Sequence, residues 1–233
     1  MSQLLPASLP AGPLELLAEW LDAAVSGQVQ PNPNAMTLAT VDRDGTPSAR
    51  VVLLKDLVTS PGYAVFYTNY RSRKARAIDA EPRVAGCLHW DTMGRQVRLE
   101  GIATVSPESE SDAYFASRDP RSQLGAWGSD QSEPVASRDQ LLAQTERRAR
   151  SLGLLGEQGL DTLFEPDAEI ATLAGGVPRP PHWGGYRIWL SAVELWCDGP
   201  GRIHDRARWT RLLTPVEPGV FRPGAWTANR LQP

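Results

Sequence analysis

The chain has 233 residues, with 24 Lys+Arg against 27 Asp+Glu and a formal net charge of −3 at pH 7. That length suits one large domain or two small ones, and the near-balanced charge argues against broad nucleic-acid binding, so an anion site must come from local clustering. No window approaches the roughly 20 apolar residues that span a bilayer, and the N-terminus lacks the basic-then-apolar layout of a secretory signal. Cys87 and Cys197 lie far apart without a metal-like spacing, so buried thiols, no metal site and a cytoplasmic location are expected.

Residues 1–12 hold Pro6 and Pro10 and are expected to be loose. Leu14, Leu17, Leu21 and Ala24 then recur at helical spacing between Pro13 and Gly27, which predicts a helix over 13–25. From Met36 the period becomes two: Met36–Val41 is a strand, Asp44-Gly45 a tight turn, and Ser48–Leu57 the returning strand. Within it, Arg50-Val51-Val52-Leu53-Leu54-Lys55 reads as a largely buried strand with a cation at each end. Either those ends reach solvent or they capture an anion. Ser60-Pro61-Gly62 turns the chain into a strand at Tyr63–Thr68.

A polar stretch follows, with Arg71, Arg73, Lys74 and Arg76 close together, and Ser72 opens a short helix ending before Pro82. Free backbone N–H groups at a helix start beside cations make a phosphate seat; a solvated basic turn is the alternative. Strands at Arg83–Trp90 and Arg95–Val105 flank the turn Asp91–Gly94, and in the second Gln96, Arg98 and Glu100 share one face while Val97, Leu99 and Gly101 share the other. Short turns without βαβ alternation favour an antiparallel barrel over a doubly wound sheet.

Ser106-Pro107-Glu108 reads as a capping serine and first-position proline of a helix running to about Ser117. Tyr114 and Arg118 are four apart, hence on one helical face, and Ser122 lies four further on. A phenol, a guanidinium and a hydroxyl can together hold a phosphate dianion. Gln123–Trp127 is another helical turn, 128–132 a polar loop and Ser137–Leu152 a longer helix, whereas 153–177 takes no assignment. Strands follow at Trp183–Ile188 and Val193–Trp196, then the turn Gly199-Pro200-Gly201. Arg202, His204 and Arg206 alternate, which places them on one face of a further strand, and Trp226–Pro233 is the last strand. Histidine between two cations is either structural or faces an anion or acceptor.

Read in order, Arg50-Val-Val-Leu-Leu-Lys55, Phe66-Tyr-Thr-Asn69, Ser72-Arg-Lys74, Arg95-Gln-Val97, Tyr114-Phe115 with Ser117-Arg118, Ser122-Gln123 with Gly125-Ala-Trp127, Gln131-Ser132, Trp183-Gly-Gly185, Arg202-Ile-His-Asp-Arg206 and the terminal Arg-Leu-Gln-Pro closely resemble the pyridoxamine 5′-phosphate oxidase family. The resemblance covers about residues 34–233, apart from 153–176. It implies a mainly β protein with flanking helices, an antiparallel FMN-binding split β-barrel. Residues 1–33 would be an N-terminal segment and first helix, and 34–233 a single domain. A homodimer with FMN at its interface is implied as well.

Carried over position by position, the resemblance makes Arg50, Val51, Leu53, Lys55, Tyr67, Thr68, Arg73, Lys74, Gln96, Gln131, Ser132, Trp196 and Arg206 flavin ligands. Lys55, Tyr114, Arg118 and Ser122 would hold the substrate's 5′-phosphate. Arg202 and His204 would lie over its pyridine ring as the catalytic residues, orienting it, with an acid/base role for His204 the further option. The implied reaction oxidises pyridoxamine or pyridoxine 5′-phosphate to pyridoxal 5′-phosphate and reduces O2 to H2O2, without nucleic acid or membrane as partner. The family usually has an Arg- and Tyr-rich segment before the first helix, where this chain is proline-rich, and the stretch 153–176 is longer than the usual connector. A related FMN oxidase of another reduced aromatic, such as a phenazine precursor, and a non-catalytic flavin or pyridoxal phosphate carrier are the alternatives.

Overall fold

A computed structural model of the chain describes residues 4–153 and 176–233, so most of the unassigned stretch lies outside the described residues. The helices are α1 (Leu14–Ser26), α2 (Arg73–Ala80), α3 (Glu108–Ala116), α4 (Pro120–Gly128) and α5 (Arg138–Ser151). The strands are β1 (Ala35–Val41), β2 (Pro47–Leu53), β3 (Asp56–Val58), β4 (Tyr63–Asn69), β5 (Arg83–Trp90), β6 (Arg95–Val105), β7 (Trp183–Cys197), β8 (Asp205–Thr210), β9 (Leu213–Glu217), β10 (Val220–Pro223) and β11 (Thr227–Leu231). The described residues form two compact units, one of 4–67, 77–105 and 186–233, the other of 68–76, 106–153 and 176–185.

The first unit carries most of the sheet, whose strand order is β11-β8-β7-β6-β5-β1-β2, with β4 joined to β3 and β7. Consecutive ladders along that order are antiparallel, as the hairpin spacing predicts, and the sheet is not closed on itself. In β6 the expected division holds, with Val97 and Leu99 fully buried and Arg98 exposed. Met36, Leu38, Phe66, Leu88, Trp90 and Trp209 are fully buried as well, each contributing roughly 1.5–3 kcal/mol through removal from water. On α1, Leu14, Leu17, Trp20 and Ala24 make the buried stripe. Both cysteines are free thiols, and burial pushes Cys197 up to about 11.

Several expectations need correction. Ser48–Leu57 is not one strand: Leu54 N–H donates to Asn34 O (2.9 Å) while Lys55 N–H donates to Val65 O (2.8 Å), so the chain changes ladder partners between Arg50 and Lys55. Nor is the run uniformly buried, since Val51 is 64% exposed. The two segments Trp183–Ile188 and Val193–Trp196 are one strand, β7, and an extra residue at Ser191 shifts its register against β6. Arg202 and His204 do not lie on a strand. Arg202 closes a 3₁₀ turn with φ of 63°, and β8 begins only at Asp205, so the alternation reaches no further back than Arg206. The hairpin β9–β10 had no predicted counterpart; Pro215 and Pro223 interrupt its strand pattern.

The proline-rich start is tied down rather than loose. Leu5 is buried and its N–H donates to Asp205 Oδ2 (3.0 Å), Arg230 donates to Pro6 O (2.6 Å), and Trp209 Nε1 donates to Pro10 O (3.0 Å). Prolines cannot donate, but their carbonyls accept well, and side chains of β8 and β11 use them.

Arg211 gathers three carbonyls in this unit. It donates to Leu190 O (2.8 Å), Pro61 O (3.0 Å) and Gly62 O (2.8 Å), and its guanidinium lies over Trp226 at 4.1 Å. Burial pulls it down to about 10. Gly62 has φ of 105°, and a Cβ there would meet Arg211 and come within 2.8 Å of Leu14. Arg211→Met is expected to lower the unfolding free energy by about 2–3 kcal/mol in urea titrations, because three carbonyls lose a charged donor and Gly62 O keeps the Leu190 N–H at 3.3 Å. Gly62→Ala should be destabilising in the same assay; a neutral result for both would show that this carbonyl cluster is not a structural hinge.

Candidate functional site

In the second unit, Lys74 is a buried cation at the first turn of α2, only 8% exposed. Its Nζ donates to Thr68 Oγ1 (3.0 Å), Ser72 Oγ (3.1 Å) and Gln131 Oε1 (2.9 Å). All three are neutral oxygens, so they solvate the charge without cancelling it. Thr68 also donates to Gln131 (3.2 Å), and Arg73 N–H donates to Ser132 Oγ (3.2 Å). Five of the predicted flavin ligands, Thr68, Arg73, Lys74, Gln131 and Ser132, thus form one cluster across a wide sequence gap. Ser72 caps α2, accepting from Ala75 N–H at 3.4 Å.

The loop that carries Gln131 and Ser132 is held by α5. Gln144 donates to Gly128 O (2.9 Å), while Arg148 donates to Trp127 O (3.0 Å) and to Asp130 Oδ2 (2.8 Å). The Arg148 guanidinium holds the Asp130 carboxyl below its ordinary value. Ser132 has φ of 75°, a left-handed conformation that a serine adopts only when its surroundings impose it.

Tyr114, Arg118 and Ser122 do not share a helical face. The helix α3 ends at Ala116, Arg118 lies in the following turn, and Ser122 is exposed in the first turn of α4. Ser106 is not the cap of α3 either, since Pro107 takes that position and Ser106 Oγ is buried without a partner. Tyr114 and Arg118 meet through Trp183 instead: Tyr114 stacks on its indole (centroids 6.1 Å apart, 10° between planes), and the Arg118 guanidinium lies 4.6 Å from the ring centroid. Phe115 meets the same indole edge-on at 5.1 Å. Asp119 caps α4, and Gln123 donates to Phe115 O (2.8 Å), which fixes the turn from which Arg118 projects. Burial pulls the Arg118 guanidinium below its ordinary value, opposed by Tyr114, and its Nη1 is buried with no acceptor among the described residues. An arginine desolvated on an aromatic face with an unused donor is arranged for an anion.

The first unit aligns a different set. Gln96, Trp196 and Arg206 are register partners across β6, β7 and β8, so three predicted flavin ligands make one row of the sheet. Arg206 donates to Glu194 Oε1 (2.8 Å), and its Nε is buried without a partner. Glu194 is 5% exposed and also meets Arg98 at 3.5 Å, while Arg208 turns to Glu100 (2.6 Å). Arg50 donates to Thr40 Oγ1 (2.7 Å) and Ser48 Oγ (2.6 Å), Val51 and Lys55 are exposed, and Leu53 and Tyr67 are half-buried. Arg202 is exposed, and His204 packs on the Trp196 indole with centroids 4.6 Å apart. Trp183, Ser72 and Glu194 were given no ligand role from the sequence; Glu194 could have been found from its alternation with Trp196, which puts both on one strand face.

Comparison with known proteins follows these groupings. A family described as Pyridoxamine 5'-phosphate oxidase matches residues 21–152, and one described as Pyridoxine 5'-phosphate oxidase C-terminal dimerisation region matches 183–233. The chain is 44% identical to the pyridoxine/pyridoxamine 5'-phosphate oxidase of Caulobacter vibrioides over 95% of this chain and 85% of that protein. It is 44% identical to that of Bordetella petrii over 100% and 94%. Among solved structures it is similar to PhzG from Burkholderia lata 383 in complex with tetrahydrophenazine-1-carboxylic acid (TM-score 0.75, 28% identity, 96% of this chain and 94% of that one). An FMN-binding protein from Nostoc punctiforme shares the fold at TM-score 0.65 and 15% identity, over 97% and 100% of the two chains.

The bridge from Glu194 to Arg206 carries its own test. Glu194→Gln is expected to lower unfolding free energy in urea by about 1–3 kcal/mol, as charge-assisted hydrogen bonds become neutral ones. Arg208→Met, opposite Glu194 in register but bonded to Glu100, should cost less than half of that. Equal costs would show that the whole charged ladder, rather than this bridge, bears the load.

Proposed function

The chain belongs to the pyridoxine/pyridoxamine 5′-phosphate oxidase family, and from that premise we propose that it is a homodimeric FMN-dependent oxidase converting pyridoxamine or pyridoxine 5′-phosphate to pyridoxal 5′-phosphate, with O2 reduced to H2O2. Residues 34–233 act as one FMN-binding domain in this reading. The observation that carries it is Arg118, a half-buried guanidinium over Trp183 whose buried Nη1 has no partner among the described residues, in addition to the Lys74 cluster. A flavin mononucleotide and a phosphorylated substrate need two cationic seats, and the second unit supplies two distinct ones.

The donor sets fit FMN. Lys74, Arg73, Thr68, Gln131 and Ser132 supply cations and hydroxyl or amide groups suited to its phosphate, and the orphaned Nε of Arg206 is a donor suited to a polar ring atom. Gln96, Trp196, Arg50, Val51, Leu53, Lys55 and Tyr67 complete the proposed set. FMN, when bound, supplies a hydride acceptor for the substrate's C4′ carbon and a route for electrons to O2. The chain's own residues bind and orient. Arg118, Tyr114, Ser122 and Lys55 hold the substrate phosphate, and Arg202 and His204 fix the pyridine ring, so that positioning supplies the rate.

The likeness to PhzG supports a second reading, oxidation of a reduced phenazine precursor. The Arg118 seat suits a carboxylate as well as a phosphate, so the preference for the first reading rests on the 44% identity to pyridoxine/pyridoxamine 5'-phosphate oxidases against 28% to PhzG. The purified protein should show the visible spectrum of bound flavin and, in air, form pyridoxal 5′-phosphate and peroxide in equal amounts from either vitamer. Flavin without turnover of either vitamer would move the assignment to the second reading, and no flavin would overturn both. Arg118→Ala is expected to raise KM for the phosphorylated substrate about 10–100-fold, the worth of a charged hydrogen bond, with flavin retained. Lys74→Ala should release flavin. The opposite pattern would show that the two anion seats are exchanged.

A further inference from the structure

His204 lies in the turn between β7 and β8 with two groups at one ring nitrogen. Asp198 Oδ1 is 3.1 Å from Nδ1, and Gly199 N–H reaches the same nitrogen at 3.3 Å. A neutral imidazole has one donor and one acceptor nitrogen, a carboxylate only accepts, and an amide N–H only donates. Nδ1 can therefore satisfy one of these neighbours at a time. The ring is 22% exposed and packs on Trp196, and among the described residues Nε2 has no hydrogen-bond partner.

We propose that Asp198 is a positioning residue that sets the tautomer of His204, keeping its proton on Nδ1 and leaving Nε2 as an acceptor. Were the Nδ1 lone pair turned to Gly199, it would face the carboxylate oxygen, acceptor against acceptor. With the proton on Nδ1 the ring turns it to Asp198 at 3.1 Å and meets the Gly199 N–H donor against donor; the attraction of the N–H to a carboxylate outweighs the neutral amide contact at 3.3 Å that is lost. Water screens this advantage, because Asp198 is 58% exposed whereas Gly199 is buried; the carboxylate keeps the edge through its charge and its shorter distance. A carboxylate that fixes an imidazole through Nδ1 defines what its far nitrogen can do.

The tautomer is a property of the chain alone. Its catalytic consequence rests on the proposed function: an Nε2 lone pair accepts a hydrogen bond from the substrate's hydroxyl or amine, whereas Nε2–H could only donate to it. Long-range 1H–15N correlation spectra of the full-length protein report the tautomer directly. They should be taken at a pH where the 15N shifts themselves show a neutral ring. The chain has 3 histidines, and His204→Gln identifies the signal. The wild type is expected to show Nδ1–H, and Asp198→Ala to show Nε2–H. Nε2–H in the wild type, or no change in Asp198→Ala, overturns the proposal; the wild-type spectrum decides alone should the variant not fold. Asp198→Ala should also lower kcat about tenfold or more with flavin binding unchanged, and an unchanged kcat overturns the catalytic half. A wild-type chain without oxidase activity would defeat the functional reading while the tautomer result stood.

Discussion

The register of β7 against β6 and β8 is the constraint on which the first unit's chemistry depends. Backbone pairing alone places Gln96, Trp196 and Arg206 in one row and Arg98 opposite Glu194. Side chains alternate with period two, so a slip of one residue would send Trp196 and Glu194 to the opposite face and bury a carboxylate among apolar groups. The apolar partners Val97, Leu99, Val193 and Leu195, all fully buried, resist that slip. The hydrophobic pattern on one face thereby sets the polar pattern on the other. The irregularity at Ser191 adds its extra residue before this row begins, so the pairing from Ala192 onward is continuous.

Cations in the two units are stabilised by different means. Lys74 is surrounded by neutral oxygens from Thr68, Ser72 and Gln131, Arg118 by the faces of Trp183 and Phe115, and Arg206 by the carboxylate of Glu194. Only the last of these arrangements supplies an opposite charge. The first two keep a cation ordered while leaving its field uncompensated by these neighbours, which suits capture of an anion that comes and goes. The third fixes the guanidinium and leaves Nε without a partner among the described residues.

Much of the fold was legible because most β hairpins, β9–β10 excepted, carry their own signal. Asp44-Gly45, Asp91–Gly94 and the alternation of β6 predicted strands close to where they occur. Helix-based spacing failed where two elements meet, since Tyr114 and Arg118 look like an i, i+4 pair but are separated by the end of α3. They converge through Trp183, far along the chain, and no local period encodes that. The same limit explains Arg202 and His204. Their alternation with Arg206 is real in sequence, but Pro200 and Gly201 favour a turn, and the left-handed backbone at Arg202 ends the period there. The motif resemblance grouped residues that periodicity could not, such as Thr68 with Gln131, because it carries long-range information that a single window lacks.

The turn from Gly199 to His204 is therefore better understood by what pins its ends than by its own pattern. At one end Cys197 closes β7, paired in register with both Arg95 and Asp205. At the other, Asp205 receives Leu5 N–H on Oδ2 and Arg230 on Oδ1, and Arg230 in turn holds the carbonyl of Pro6. A single carboxylate so joins the proline-rich start, the last strand and the residue that separates His204 from Arg206. Loosening any of the three would free the backbone on which His204 turns, and Asp198 could then no longer hold one ring nitrogen in place. The docked start of the chain is in this sense part of the scaffold that holds the turn from Gly199 to His204.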